Sequence, residues 1–282
     1  MPRKKSGALR AIWDAWVWLS SHLLSIPYFA AVLIMRAADW CVAKWSERAK
    51  KAGVVKHQPK SGAAYSPLCL QNRVSHTGSL AEFERKLLSS DSTIGLVLGA
   101  RGSGKSALGM RILENVSAKS GRKVCAMGFD PSSLPAWITP VNSVDEVKNS
   151  AFLLVDEGGI SFSSRSALSS ANRLLSSLLF VSRHKGISVL FISQNSANLE
   201  VNAIRQADFL LLCKPSLLQK DFERKIIGKI YDAARAGFES LSQEGRHSTY
   251  IYSDEFRGFA ASSLPSFWSE KASRGFENRK LG

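Results

Sequence analysis

Cysteine is scarce in this chain. The 282 residues hold four, Cys41, Cys69, Cys125 and Cys213, with no C-x-x-C pair among them. That spacing excludes a clustered metal site and a disulfide-stapled framework, and makes a reducing, intracellular compartment the expectation. Acidic residues are also short: 23 Asp and Glu face 38 Lys and Arg, for a net charge of +15. A balance this lopsided points to polyanionic partners, either nucleic acid or acidic lipid. Internal repeats are lacking, and no small-residue cleavage site follows the first apolar run, so a secretory signal peptide is not expected. With 45% apolar and 22% charged residues, the chain is neither a disordered tail nor a multi-span transporter. Its length suits one domain with appendages, or two domains.

One long uncharged run is present. Residues 15–35 contain no Lys, Arg, Asp or Glu, and as a helix they would cover about 30 Å, the thickness of a bilayer core. Trp13, Trp16 and Trp18 stand at one end and Trp40 and Trp45 beyond the other, as in a headgroup-level aromatic belt. Pro27, His22 and several serines dilute the run, and basic residues on both flanks leave its orientation open. The expectation is membrane contact through residues 12–45. A spanning or re-entrant helix, an in-plane helix and a helix packed on protein are the three forms left open. Residues 47–91 read as a linker rich in Lys, Ser, Gly and Pro, with a short amphipathic helix over 80–88.

The informative stretch begins at residue 93. Residues 93–98 (TIGLVL) have the profile of a buried strand and lead into Gly99, Ala100, Arg101, Gly102, Ser103, Gly104, Lys105 and Ser106, which satisfy G-x-x-x-x-G-K-[ST]. From Ala107 onward the periodicity is helical. A glycine loop between strand and helix turns its backbone N–H groups inward to cradle phosphates, helped by the helix N-terminus. Lys105 would reach the β- and γ-phosphates, and Ser106 would ligate Mg²⁺. Fifty residues on, 151–155 (AFLLV) is a second buried strand ending in Asp156 and Glu157, an arrangement in which Asp156 holds magnesium and Glu157 polarises the attacking water. A third strand, 187–192, ends beside Gln194, placed to sense the γ-phosphate or to orient water, though a plain turn-forming role also fits. Helical stretches over 168–182 and 217–234 and a strand over 208–213 complete an alternation that implies an α/β domain with a mainly parallel sheet.

These residues resemble the FtsK/HerA superfamily of ring-forming P-loop ATPases, in particular the viral genome-packaging ATPases and the zonula occludens toxin-like assembly proteins of filamentous phages. The likeness is carried by AFLLVDEGG, by Arg165, by SRHKGISVLFISQ with Arg183, His184, Gly186 and Gln194, and by VNAIRQADFLLL. It spans residues 92–231. It implies an ASCE/RecA-like sheet with the Gln194 strand between the two Walker strands, ATP and Mg²⁺ as cofactors, Glu157 as catalytic base, and a homo-hexamer with nucleotide at its interfaces. It further implies DNA held by sequence-independent backbone contacts, capsid or assembly proteins as partners, and a place in a virion or on the host cytoplasmic face of a membrane. A ring ATPase needs an arginine from its neighbour at the γ-phosphate; Arg183 is the first candidate, with Arg165 and Arg173 behind it. Residues 161–173, with two arginines and no acid, suit a loop touching a nucleic-acid backbone, and equally a plain polar loop.

The expected organisation is a basic tail and hydrophobic membrane-associated helix (1–46), a linker (47–91), a P-loop ATPase core (92–235) and a C-terminal tail (236–282). The filamentous-phage proteins place their membrane helix after the ATPase domain, whereas here the apolar run comes first. That difference favours an ATP-driven DNA-packaging motor over phage assembly, export or conjugation. A non-hydrolysing nucleotide-binding membrane scaffold is the reading from another class, and the intact Lys105, Ser106, Asp156 and Glu157 stand against it.

Overall fold

The computed structural model describes residues 13–18, 62–72, 74–161, 167–216, 219, 222–242 and 248–269. The chain divides into two units, 1–56 and 57–282. Of the first, the described part is a helical stretch over 13–18 with Trp13, Trp16 and Trp18 exposed. Among the described residues no helix is long and apolar enough to cross a membrane. The remainder of the expected 12–45 helix lies outside them, so the hydrophobic N-terminal helix is not a described element of the fold.

The second unit is built on a ten-stranded sheet. In chain order its strands are β1 (Cys69–Leu70), β2 (Thr77–Gly78), β3 (Ile94–Leu98), β4 (Val124–Met127), β5 (Ile138–Pro140), β6 (Phe152–Asp156), β7 (Ser188–Ser193), β8 (Phe209–Leu212), β9 (Ser248–Ser253) and β10 (Phe256–Ala261). Their spatial order is β1-β10-β9-β8-β3-β7-β6-β4-β5, with β2 also on β10. Strands β8, β3, β7, β6, β4 and β5 run parallel; β9, β10, β1 and β2 pair antiparallel.

The sheet is therefore mixed: six strands form the expected parallel part, and four antiparallel strands extend it beyond that expectation. The hairpin β9–β10 lies beyond residue 235, where the core was expected to end, and β1 and β2 come from the expected linker. In β9 buried and half-exposed residues alternate, the one-sided pattern of an antiparallel strand, whereas β3, β6 and β7 are buried throughout. Within the helix expected over 217–234, Gln219 and Phe222 are helical, Glu223 and Arg224 interrupt it, and a helix then runs Lys225–Ser242.

Period-2 alternation sends the central side chains to two cores. Ile94, Leu96 and Leu98 join Leu175, Leu178 and Leu179 of helix Ala167–Lys185, and Ile227, Ile230 and Phe238 of helix Lys225–Ser242. Val97 joins the opposite core, with Phe83 and Leu87 of helix Leu80–Ser89 and Leu108, Ile112 and Leu113 of helix Lys105–Ser120. Each such Leu, Ile or Phe contributes about 1.5–3 kcal/mol by leaving water. The result is three layers, helices on both faces of the sheet. Helix Leu80–Ser89 starts at Ser79, whose hydroxyl accepts from the Glu82 N–H, the first half of a capping box.

Arg122 ties the N-terminal ends of the parallel strands together. Its guanidinium donates to the carbonyls of Ser90 (2.7 Å), Asp91 (3.1 Å), Ser150 (2.9 Å), Ala151 (2.9 Å) and Gly186 (3.2 Å), and to the Ser188 hydroxyl (3.0 Å). The opposite, C-terminal ends of these strands open on the cleft.

Candidate nucleotide site

Strand β3 delivers the glycine loop to the sheet's C-terminal edge. Gly104, at φ +88, is the residue before helix Lys105–Ser120. This left-handed conformation costs an L side chain but suits glycine, and it leaves the helix with no side-chain cap. The first-turn N–H groups are thus left for an acceptor brought from outside, and a phosphate oxygen fits that requirement. Gly99 packs against Cys213 at the end of β8: a Cβ there would lie 2.7 Å from the Cys213 Cβ. Burial pushes the Cys213 thiol up to about 11, so it serves as floor and not as nucleophile.

Lys105 is buried, and its ammonium donates to the carbonyls of Gly99 at 2.8 Å and Ala100 at 2.7 Å. Burial lowers its pKa, opposed by the charges of Asp156 and Glu157 among others. The Ser106 hydroxyl donates to Asp156 Oδ2 at 2.9 Å, which brings together the two residues expected at the metal. Asp156 Oδ1 accepts from the Gly158 N–H at 3.0 Å, so β6 ends with its carboxylate held at the start of the short helix Glu157–Ser161. Only glycine fits at 159, where a Cβ would fall 1.7 Å from the Gly128 carbonyl oxygen at the end of β4.

Burial raises the pKa of both carboxyls. For Asp156 the bonds from Ser106 and Gly158 oppose the rise. For Glu157 the Asp156 charge adds to it, while hydrogen bonds at Ser193 and Gln194 oppose it. Two adjacent buried carboxyls facing a buried lysine form a charged triad that a polyphosphate and a cation would complete.

The order β3-β7-β6 places the Gln194 strand between the two Walker strands, as the resemblance implied. Gln194 lines the cleft, exposed, and its carbonyl accepts from the Gln219 side-chain amide. The cleft measures about 780 Å³ and is bounded by the loop residues Arg101–Ala107, by Asp156 and by Gln194. Phosphate cradle, lysine, hydroxyl, paired acids and strand order occur together at one edge. Together they make a P-loop nucleotide site.

No protein-family model matches the chain, and no curated protein does. Among solved structures it is similar to the DNA-packaging ATPase of Sulfolobus turreted icosahedral virus, at 14% identity and a TM-score of 0.43 over 62% of this chain and 98% of that one. It is similar to the genome-packaging NTPase of Sulfolobus turreted icosahedral virus 2 in complex with AMP, at 13% identity and a TM-score of 0.43 over 62% and 99%. The N-terminal domain of zonular occludens toxin from Neisseria meningitidis follows at 17% identity and a TM-score of 0.29 over 43% and 76%. Both kinds of protein that the sequence resembles are thus among its structural neighbours. At these scores the reading of the P-loop rests on the chain's own residues.

Arg183 is not brought to this cleft. It lies exposed near the end of helix Ala167–Lys185, before β7 begins, and lines a separate surface cavity with Phe180, His184 and Glu200. Arg173 is on the exposed side of the same helix, and Arg165 falls outside the described residues.

The sequence reading missed the far wall of the cleft, formed by Thr249 and by Leu264, Phe267 and Trp268. The signal was present in SSLPSFW, an aromatic pair after a proline turn. It also missed why the P-loop helix carries Arg111, Glu114 and Asn115 on a face that is buried. Segments 62–68 and 262–268 cover that face and bond to those side chains.

Proposed function

We propose that this P-loop NTPase is an ATP-hydrolysing motor that moves DNA, of the genome-packaging kind. Glu157 carries the reading: a carboxyl only 6% exposed, next to the residue that would hold the metal, with a pKa lifted towards that of a working base. A protein that merely held nucleotide would have no use for a second buried acid there, whose like charge burdens the fold. In hydrolysis Glu157 would take a proton from the attacking water and Gln194 would orient that water. Lys105, released from its loop carbonyls, would steady the β- and γ-phosphates. Ser106 and Asp156 would hold a magnesium ion, which would neutralise charge on the phosphate oxygens.

The surplus of basic residues supports a polyanion as the cargo. A homo-hexameric ring, capsid or assembly partners, DNA backbone contacts and a virion or cytoplasmic membrane-face location belong to this reading. In such a ring Arg183, set away from its own cleft, would serve a neighbour's. A phage assembly or export ATPase is the second reading; the apolar run at 15–35 suits a membrane site, while its place ahead of the core departs from the phage pattern. The deciding experiment measures ATP hydrolysis by the 282-residue chain with and without DNA. Turnover stimulated by DNA of any sequence and abolished by Glu157→Gln supports the motor; binding without turnover would leave the scaffold.

A further inference from the structure

We propose that residues 262–268 form the base-recognition wall of the nucleotide cleft, with the Trp268 indole as the platform on which a purine stacks; this rests on the reading of the P-loop as an ATP site. The segment leaves β10 and crosses the outer face of the P-loop helix, where buried side chains hold it. Arg111, 3% exposed, donates to the carbonyls of Ser263 (3.4 Å), Leu264 and Ala64 (2.9 Å). Glu114, fully buried, pairs with Arg111 at 2.9 Å and accepts from the N–H groups of Ser266 and Ala64, both at 3.0 Å, and from the Ser266 hydroxyl.

The turn that follows is closed by the Trp268 N–H on the Pro265 carbonyl at 3.0 Å. Phe267 is then engaged edge-on by Trp137, ring centroids 5.4 Å apart. Among the described residues the Trp268 indole pairs with no other ring, is half-buried against the core, and lines the same cleft as Lys105, Asp156, Met110 and Leu264. Leu264 is 56% exposed, an apolar group that the fold leaves uncovered at the cleft's rim. Arg111 stands six residues, about 9 Å of helix, beyond Lys105. That is the scale of the ribose and base beyond a phosphate seated at the helix N-terminus. An apolar, aromatic wall at this distance is chemically matched to a purine and to nothing else in ATP.

The wall recognises ring area and not ring edge. The carbonyls of Ser263 and Leu264 each accept from Arg111, which holds them towards the helix. Stacking on an aromatic face tolerates any base, so ATP and GTP are expected to bind alike.

The test measures affinities of Mg-ATP, Mg-GTP and Mg-tripolyphosphate for the 282-residue chain and for Trp268→Ala and Trp268→Phe. Trp268→Ala is expected to weaken both nucleotides about tenfold and to leave tripolyphosphate within about twofold, with Trp268→Phe restoring most of the loss. Unchanged ATP affinity in Trp268→Ala, or a parallel loss of tripolyphosphate, would overturn the proposal. A wild-type chain that binds tripolyphosphate no better than it binds free sulfate would overturn the ATP site itself, and this wall with it.

Discussion

Replacing Glu157 by glutamine should stabilise the protein while stopping its chemistry. In the folded chain this carboxyl is buried, and its pKa is raised above the ordinary 4.5, first by burial and then by the neighbouring Asp156. A folded-state pKa above the unfolded one means the fold prefers the protonated acid. The associated stability is complete below 4.5 and is lost as pH rises through the raised folded value. As pH rises above 4.5 the protein therefore carries a growing cost for this crowded carboxyl. Glutamine keeps the shape and one accepting oxygen without the charge. Removing a poorly compensated buried charge is worth about 1 kcal/mol or more, which in a domain of this size is roughly 2–4 °C in Tm. The assay is thermal unfolding of wild type and Glu157→Gln, without nucleotide, from pH 4.5 to 8. The variant's advantage should be present at pH 7.5 and shrink towards pH 4.5, alongside unchanged ATP binding and lost turnover. A variant less stable than wild type at pH 7.5, or one that still hydrolyses ATP, would refute the electrostatic reasoning and the assignment of the base.

Asp156→Asn should weaken magnesium-dependent nucleotide binding, read as a fall in ATP affinity in magnesium but not in EDTA, and Lys105→Ala should lose binding in both. Arg122→Ala would leave five carbonyls without their guanidinium; at about 1 kcal/mol or more for each buried group, chemical denaturation should show a loss above roughly 3 kcal/mol, only partly recovered by Arg122→Lys. If Arg183 acts on a neighbour, mixing Arg183→Ala and Glu157→Gln protomers that exchange subunits should recover part of the hydrolysis; no recovery at any ratio would end that role. Anionic vesicles should retain the 282-residue chain on flotation and not a chain starting at Ser61, whereas equal flotation of the two would move the membrane contact elsewhere.

What the sequence disclosed, and what it hid, divides along physical lines. Strands β3, β6 and β7 are buried on both faces, so they appear as bare apolar runs, and the residues at their ends fall at the cleft because parallel strands share a polarity. The phosphate loop was legible for the same reason: glycine, lysine and serine are required there by backbone shape and charge. The three-residue β5 and the two-residue β1 and β2 are too short for any periodicity to emerge, and β4 is only four residues long. The outer face of the P-loop helix was hidden in another way. Arg111, Glu114 and Asn115 look like a solvated surface, and only the two covering segments, nearly 200 residues apart in the chain, make them interior: the Ser66 and Ser263 hydroxyls meet at 2.9 Å across a separation of 197 residues. No local pattern carries a contact of that span.

The ends of the sheet bear on how copies of this protein can associate. One margin is closed by β1 and β2, two residues each, and the other by β5, whose last residue, Pro140, has no N–H to offer. Among the described residues neither margin presents a row of free backbone groups long enough to template a strand from another molecule. Subunits of a ring could not be zipped together by continuing the sheet, which would be a nearly permanent join. They would have to meet through side chains on helices and cleft rims, contacts that can be made and released within one turnover. Such a seam can transmit force without locking.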